Sequence, residues 1–325
     1  MSLPKAPLWM QKMAFERRLV EIAARSGLRL PTGWRFFERS PLMKADHAAF
    51  LMRKGKTGTA CVMTGAFGRD GFLSTPFADD EAAADALLGE LVALQKQWGA
   101  RRIVAPVSPR LFDTDGGLTV QGLDAEASCF STDALPFWDE LLQRHGFAVT
   151  GTASLYALDE ARFPAECYAR AARESMRRFG YRVVSARSMG LGAAGSAMAR
   201  LAQKEPLFGM DGRAFYESLR ALGSAWSPET TAIALRGGEA IGYLLTLCDR
   251  ERRILRAATA QVAAAWRRKG VTAALAELTM REGRGLRIEA GVIDDENFTS
   301  RWCVENAGGR RIRWMKRYEL KITNS

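Results

Sequence analysis

Four consecutive residues, Arg267, Arg268, Lys269 and Gly270, carry the clearest chemical signal in the chain. They stand behind an apolar stretch, Ile254 to Val262, that reads as a strand, and in front of a run whose apolar positions, Val271, Leu275 and Leu278, repeat at helical spacing. A helix start leaves backbone N–H groups without partners and concentrates partial positive charge there. Gly270 has no side chain to hold a phosphate away from the backbone, and three cations add to the field. The chemistry in outline is the binding of a phosphate-like anion. The same residues would also make an ordinary strand-to-helix junction with a solvated basic turn.

Proton transfer has other candidates. Asp294, Asp295 and Glu296 fall at the end of the next strand pattern and Glu289 lies within it, so Asp294, Asp295 and Glu289 are candidate general bases. Asp295 or Glu296 could equally cap the helix that follows. Tyr216, Tyr243 and Tyr318 could donate a proton, with core packing of a satisfied hydroxyl as the competing reading. Cys303 sits in an expected helix with nothing basic beside it to activate a thiolate. The only histidines are His47 and His145, and the five cysteines are scattered without a CxxC spacing. That argues against a zinc site, a disulfide framework and a three-histidine centre, and no nucleophile motif supports a Ser-His-Asp triad. No metal is expected.

Composition limits what these groups can serve. At 325 residues the chain is long for one core and comfortable for two, and 47% hydrophobic content is globular. No apolar run approaches the ~20 residues of a membrane span. The first residues lack the apolar core and cleavage site of a signal peptide, so a cytoplasmic protein is expected. The net charge of +11 is uneven: residues 1–155 carry 18 basic and 17 acidic side chains, residues 156–325 carry 29 and 19. The excess lies in the half with the basic loop, where it would attract CoA, nucleic acid or an anionic membrane surface.

The elements that must position these residues follow in order. Residues 8–25 repeat apolar positions at helical spacing, with Lys12, Arg17, Arg18 and Arg25 mostly off that face; such a helix packs on its own protein or lies on a membrane. Residues 27–43 read as connection. Two strand-like runs flank the Gly-rich turn KGKTG and suit a hairpin. A strong helix follows over 81–99, with Asp79, Asp80 and Glu81 at its start and Gly99 at its end. Those acidic residues would repel a pyrophosphate, so the first half is not expected to hold one. Then come a strand (101–107), a short helix closed by Gly146, and a strand (148–158). Residues 159–170 read as a junction, giving domains at 1–155 and 156–325. The second half reads as a basic helix, a strand, two further helices, a three-strand meander turning at RGGEA and CDRER, the basic loop with its helix, a strand over 286–293, and a helix ending at Gly308 and Gly309. Residues 310–322 alternate as an edge-type strand.

The order of elements, the loop and the tail together resemble the GCN5-related N-acetyltransferases (GNAT). The loop is similar to that family's acyl-CoA pyrophosphate pattern Q/R-x-x-G-x-G/A, with Arg267 first, Gly270 fourth and Thr272 in place of the last small residue. VIDDENFTSRWCVENAGG resembles the family's strand-end asparagine, short helix and closing glycines, with Asn297 in the asparagine position. In the first half, RRIVAPVSPRLFDTDGGLTVQGLD followed by LPFWDELLQRHGF resembles the YghO-like tandem GNAT proteins. The resemblance implies an α/β fold with mixed (α+β) sheets and two tandem GNAT-like domains, a degenerate one over 1–155 and one with the acyl-CoA loop over 156–325. It implies a CoA site formed by Gln261, Val262, Arg267, Arg268, Lys269, Gly270, Val271, Thr272, Ala273 and Asn297. The donor would be acetyl-CoA or a longer acyl-CoA, and the acceptor an amine, including a long-chain, sphingoid-type amine. Peripheral contact with an anionic membrane fits the charge, and no DNA partner is expected. The tyrosine that usually protonates the leaving thiolate is replaced by Val304. Two alternatives stay open: an aminoacyl-tRNA-dependent transferase of the FemX-like kind, and an inactive GNAT-like binding protein. Acyl chain length, acceptor and oligomeric state are not readable.

Overall fold

A computed structural model describes residues 7–26, 45–107, 117–125, 135–204 and 212–322. The expected connection over 27–43 lies outside them. The chain divides into two compact units: unit 1 takes residues 1–154, 292–298 and 312–325, and unit 2 takes 155–291 and 299–311. Three strands, β7 (Ala148–Leu158), β12 (Arg287–Asp294) and β13 (Gly309–Lys321), therefore give residues to both.

Unit 1 begins with α1 (Leu8–Ser26), followed by β1 (His47–Lys54) and β2 (Thr59–Phe67), an antiparallel hairpin as expected, with Met52 opposite Cys61. Three strands escape the sequence reading, β3 (Asp70–Ser74), the two-residue β4 (Phe77–Ala78) and, further on, β6 (Leu118–Gln121); β3 and β4 pair with β2. After α2 (Glu81–Gln97) come β5 (Arg102–Val107), β6 (Leu118–Gln121) and α3 (Phe137–Arg144). The strand order is β1-β2-β3-β5-β13-β7, with β3 and β5 parallel. The period of two explains the layering. Phe50, Cys61, Met63 and Phe72 face Phe15, Leu19 and Ile22 of α1. Their neighbours Ala49, Leu51, Ala60 and Val62 face the other way, into a core with Leu87, Leu91 and Leu94 of α2. A sheet covered on both faces accounts for the nearly continuous burial of β2.

β13 corrects one expectation. It is not an edge: Tyr318–Lys321 pair with β5, Trp314–Lys316 pair with β6, and β7 is its neighbour on the strand path. The polar positions that make it look like an edge are satisfied by protein. Arg313 is buried and donates to the Ala125 carbonyl at 3.0 Å, and Lys316 pairs with Asp139 at 2.8 Å.

Unit 2 opens with α4 (Ala165–Phe179), β8 (Arg182–Ser185), the single turn α5 (Ala186–Met189), α6 (Leu191–Lys204) and α7 (Gly212–Ala221). The expected meander is β9 (Ala232–Arg236), β10 (Glu239–Asp249) and β11 (Ile254–Val262), and α8 (Val271–Glu282) follows the loop. The order is β8-β9-β10-β11-β12, antiparallel except for β11 and β12. The parallel ladder spans three pairs, ending at Arg256 and Glu289, while β11 runs on to Val262. Helices α4 and α8 bury Ala172, Val271, Ala274, Leu275 and Leu278 against Ala232, Ala234 and Ile241. The last helix, α9 (Phe298–Asn306), joins β12 to β13.

Candidate anion site and the carboxylates of β12

The strand that delivers the loop is locked to β10 up to its end: Gly242 pairs with Val262, and Ala263 N–H donates to Ile241 O at 2.9 Å. A short 3-10 turn over Ala264–Trp266 follows, then Arg267 in extended conformation and Arg268 at φ 61°. Gly270, at φ 73°, is the N-cap of α8 and supplies no side-chain cap. The first helical hydrogen bond, Ala274 N–H to Gly270 O at 3.1 Å, closes behind it. Helix geometry then leaves the N–H groups of Val271, Thr272 and Ala273 outside the intrahelical ladder.

Aromatic rings hold Lys269 and Arg236 in place. The Lys269 ammonium lies 4.7 Å from the Trp266 ring centroid and 5.9 Å from that of Phe179, and the Arg236 guanidinium lies 4.9 Å from Trp266. Tyr181 meets Trp266 edge-on at 6.1 Å. Its hydroxyl shares a 2.7 Å hydrogen bond with Ser175 Oγ and donates toward Lys269 O at 3.5 Å. Burial raises the Tyr181 pKa above the ordinary phenol value, against the lowering effect of Ser175. Arg267 donates from Nε to Val262 O at 3.3 Å while remaining exposed. Behind the loop, Gln261 Oε1 accepts from Tyr243 at 3.0 Å; both are buried, and burial alone pushes the Tyr243 pKa up. Thr272 is exposed beside the loop, and Val262 and Ala273 are half-buried.

Gly270 has a packing reason that the sequence does not show. A Cβ there would lie 2.6 Å from Ser175 Cβ and 2.8 Å from Ser175 Oγ. The residue is glycine because α4 packs against it and because its φ is left-handed. Close approach of a ligand was the expected reason, and it is a separate matter. Along α4, Arg170, Arg173, Arg177 and Arg178 are exposed and extend the basic character of unit 2.

The three carboxylates sit in different surroundings. Glu289 is fully buried, the ladder partner of the equally buried Arg256, with Arg287 Nη2 at 3.8 Å from its carboxylate. Asp294, in unit 1, pairs with Arg317, and its Oδ1 and carbonyl accept from the backbone of Glu296 and Asn297. Asp295, also in unit 1 and half-exposed, accepts from Ser154 Oγ at 2.7 Å and Trp314 Nε1 at 3.0 Å, and its N–H donates to Thr152 O. Sequence reasoning could not have found Ser154 or Trp314: they reach Asp295 across 141 and 19 residues. Asn297 is exposed just before α9. Tyr318 is buried against Asp139 at 2.7 Å, and burial together with that carboxylate pushes its hydroxyl far above the phenol range.

Unit 1 has a helix start of the opposite kind. Asp80 caps α2 by accepting from Ala83 N–H at 2.8 Å. Its other oxygen accepts from the Thr57 hydroxyl at 2.5 Å and from the amides of Thr57 and Gly58 at 3.0 and 3.1 Å. The Thr57 hydroxyl bond, the Ala83 and Thr57 amides and, more weakly, Gly58 hold its pKa down at about 2. An internal carboxylate thus fills the position that a bound anion would take. Among the described residues no group of three or more His, Cys, Asp or Glu side chains could hold a metal ion, and no helix is long and apolar enough to cross a membrane.

No protein-family model matches the chain, and no curated protein matches it. Solved structures do. A tandem GNAT protein from the clavulanic acid biosynthesis pathway is 10% identical with a TM-score of 0.55, covering 90% of this chain and 96% of that one. A GCN5-related glucosamine N-acetyltransferase region of a fungal multi-domain GH3 β-N-acetylglucosaminidase is 13% identical with a TM-score of 0.56; it covers 86% of this chain, which spans only 34% of that protein. A GCN5-related N-acetyltransferase from Sphaerobacter thermophilus is 14% identical over 82% of this chain and 81% of that one, at a TM-score of 0.49 that carries no weight. At such identities the likeness speaks for the fold alone, and that fold is a mixed α/β chain of two GNAT-like units in tandem.

Proposed function

We propose that the chain is an acyl-CoA-dependent N-acyltransferase of the tandem GNAT kind, with domains at 1–155 and 156–325 of which only the second binds the donor. The observation that carries this reading is the start of α8: a left-handed glycine cap with no side chain on the helix N-terminus, preceded by Arg267, Arg268 and Lys269. A pyrophosphate suits such a position, because N–H groups and the helix dipole favour an anion there and guanidinium groups add charge-assisted bonds. Beyond its short ladder with β12, β11 leads into the loop, where an amide-bearing pantetheine arm has strand-like hydrogen bonds to make. We assign Gln261, Val262, Val271, Thr272, Ala273 and Asn297 to the same donor site.

In the reaction the amine nitrogen attacks the thioester carbonyl carbon, the C–N bond forms, the C–S bond breaks and a base takes the nitrogen's proton. Of the three carboxylates we assign the base to Asp295, held in orientation by Ser154 and Trp314. Asp294 is tied to Arg317 and to the turn before α9, and Glu289 is enclosed with arginines, so both read as structural. The valine at position 304 does not preclude transfer, since a thiol with a pKa of about 8.5 leaves as thiolate far more readily than an alkoxide would. The donor is acetyl-CoA or a longer acyl-CoA, and the acceptor an amine, with a long-chain, sphingoid-type amine of the kind implied by the YghO-like resemblance as the first to try.

The exposed arginines of α4 favour one second reading, in which the basic face holds the backbone of an aminoacyl-tRNA donor. Incubation with acyl-CoAs of graded length and a panel of amines, followed by free thiol and N-acyl product, separates the readings. Amine-dependent thiol release supports the proposal. Transfer from aminoacyl-tRNA alone would overturn it, and CoA binding without transfer to any amine would mark an inactive binding protein.

A further inference from the structure

Helix α1 has two apolar faces, and unit 1 uses one of them. Phe15, Leu19 and Ile22 are buried at 0, 1 and 0% exposure against Phe50, Cys61, Met63, Phe72 and Phe77. The opposite side carries Trp9, Met10, Met13 and Val20 at 62, 47, 58 and 48% exposure. At 100° per residue, positions 9, 13 and 20 fall within one narrow row, with Met10 and the exposed Arg17 alongside. Arg18 and Arg25 make a second row; they are 45 and 48% exposed even while paired with Glu21 and Asp79. An apolar row led by tryptophan and flanked by arginines is the pattern of a helix lying in a lipid interface, where Trp and Met enter the acyl boundary and guanidinium groups reach the headgroups.

We infer that this outer face of α1 is a docking surface for an anionic lipid bilayer, with the helix parallel to the membrane plane and anchored to unit 1 by its inner face. Charge complementarity favours that occupant. The helix carries four basic against two acidic side chains, and Arg17 is exposed beside the apolar row. Size disfavours a second copy: the four side chains expose on the order of 400 Å² together, a patch large enough to mark an interaction site but about half of what each partner in a stable dimer buries. Among the described residues no helix is long and apolar enough to cross a bilayer. The inference is independent of the acyltransferase reading and concerns a surface that reading does not use.

Co-sedimentation of the full chain with vesicles tests it. The protein should partition onto equimolar phosphatidylglycerol–phosphatidylcholine vesicles, much less onto phosphatidylcholine alone, and less as salt screens the arginines. Met13→Glu and Arg17→Glu should each weaken partitioning by about tenfold or more, with the thermal unfolding midpoint and CoA binding unchanged because both side chains are exposed. The inference is overturned if wild type ignores anionic vesicles, if neutral vesicles bind it equally, or if Met13→Glu partitions like wild type. It is also overturned if light scattering reveals a wild-type dimer that Met13→Glu dissolves, since the face would then belong to a second copy.

Discussion

Substituting Gly270 by alanine should destabilise unit 2 for reasons unconnected with any ligand, and the amount can be worked from two features. A non-glycine residue at φ 73° costs roughly 1–2 kcal/mol. The new methyl, 2.6 Å from Ser175 Cβ, forces α4 and α8 apart, an overpacking of about 1–3 kcal/mol. The sum, about 2–5 kcal/mol, falls by a few tenths to ~1 for the lost glycine freedom of the unfolded chain. Ser175→Gly alone removes the facing Cβ and the bond to Tyr181, costing about 1–2 kcal/mol. In the double variant the overpacking disappears, so the pair should be more stable than the sum of the single effects by about 1–3 kcal/mol. Urea unfolding of the four proteins, without CoA, measures this coupling. A coupling indistinguishable from zero would mean that Gly270 does not pack on α4, and the stated reason for the glycine would be wrong. It follows that any substitution at Gly270 perturbs the fold as well as a ligand held by the loop.

Three other outcomes are expected. Asp80→Ala should lower the stability of unit 1 by about 1–2 kcal/mol through loss of the α2 cap, and more through the turn amides it leaves unpaired. The folded pKa of Asp80, about 2, lies below its ordinary 3.8, so its contribution is present above pH 3.8 and fades as pH falls through about 2; the gap between wild type and Asp80→Ala, followed by chemical denaturation from pH 5 to 2, should therefore close at the acid end, and a constant gap would contradict the assignment. Asp295→Asn should reduce acyl transfer by a factor of about 10²–10⁴ while CoA affinity stays near wild type, and retained activity would remove Asp295 as the base. Trp266→Ala should weaken CoA binding several-fold, because Lys269 and Arg236 lose a cation–π contact worth about 0.5–2 kcal/mol; an unchanged affinity would mean that the loop's cations are not positioned by the ring.

Local pattern carried the sequence reading wherever one element decides. The α1 helix, the β1–β2 hairpin, the meander and the strand–loop–helix around Gly270 follow from periodicity and turn residues, which act within a few positions. β3 escaped because five residues after a tight turn are too few to show a period, and β6 because four are. β13 was misjudged for a different reason. Its alternating charges are what an exposed strand would show, yet Arg313 and Lys316 meet Ala125 and Asp139 far away in sequence. The loop's cations were legible, but the ring that holds Lys269 was not, although Trp266 stands directly before Arg267 in the sequence. Ser175 behind Gly270, Asp80 across the β1–β2 turn, and Ser154 and Trp314 on Asp295 leave no local trace. Each is a tertiary contact between residues whose types are unremarkable where they stand.

The central claim is that the start of α8, with the basic loop before it, holds the pyrophosphate of an acyl-CoA. Isothermal titration of acetyl-CoA into wild type and Arg267→Ala tests it most directly. One site per chain is expected, weakened by about one to two decades in Arg267→Ala for the loss of a charge-assisted contact worth about 1.5–3 kcal/mol, and weakened further by salt in both proteins. Absence of binding to wild type, two equivalent sites, or an Arg267→Ala affinity equal to wild type would contradict the claim.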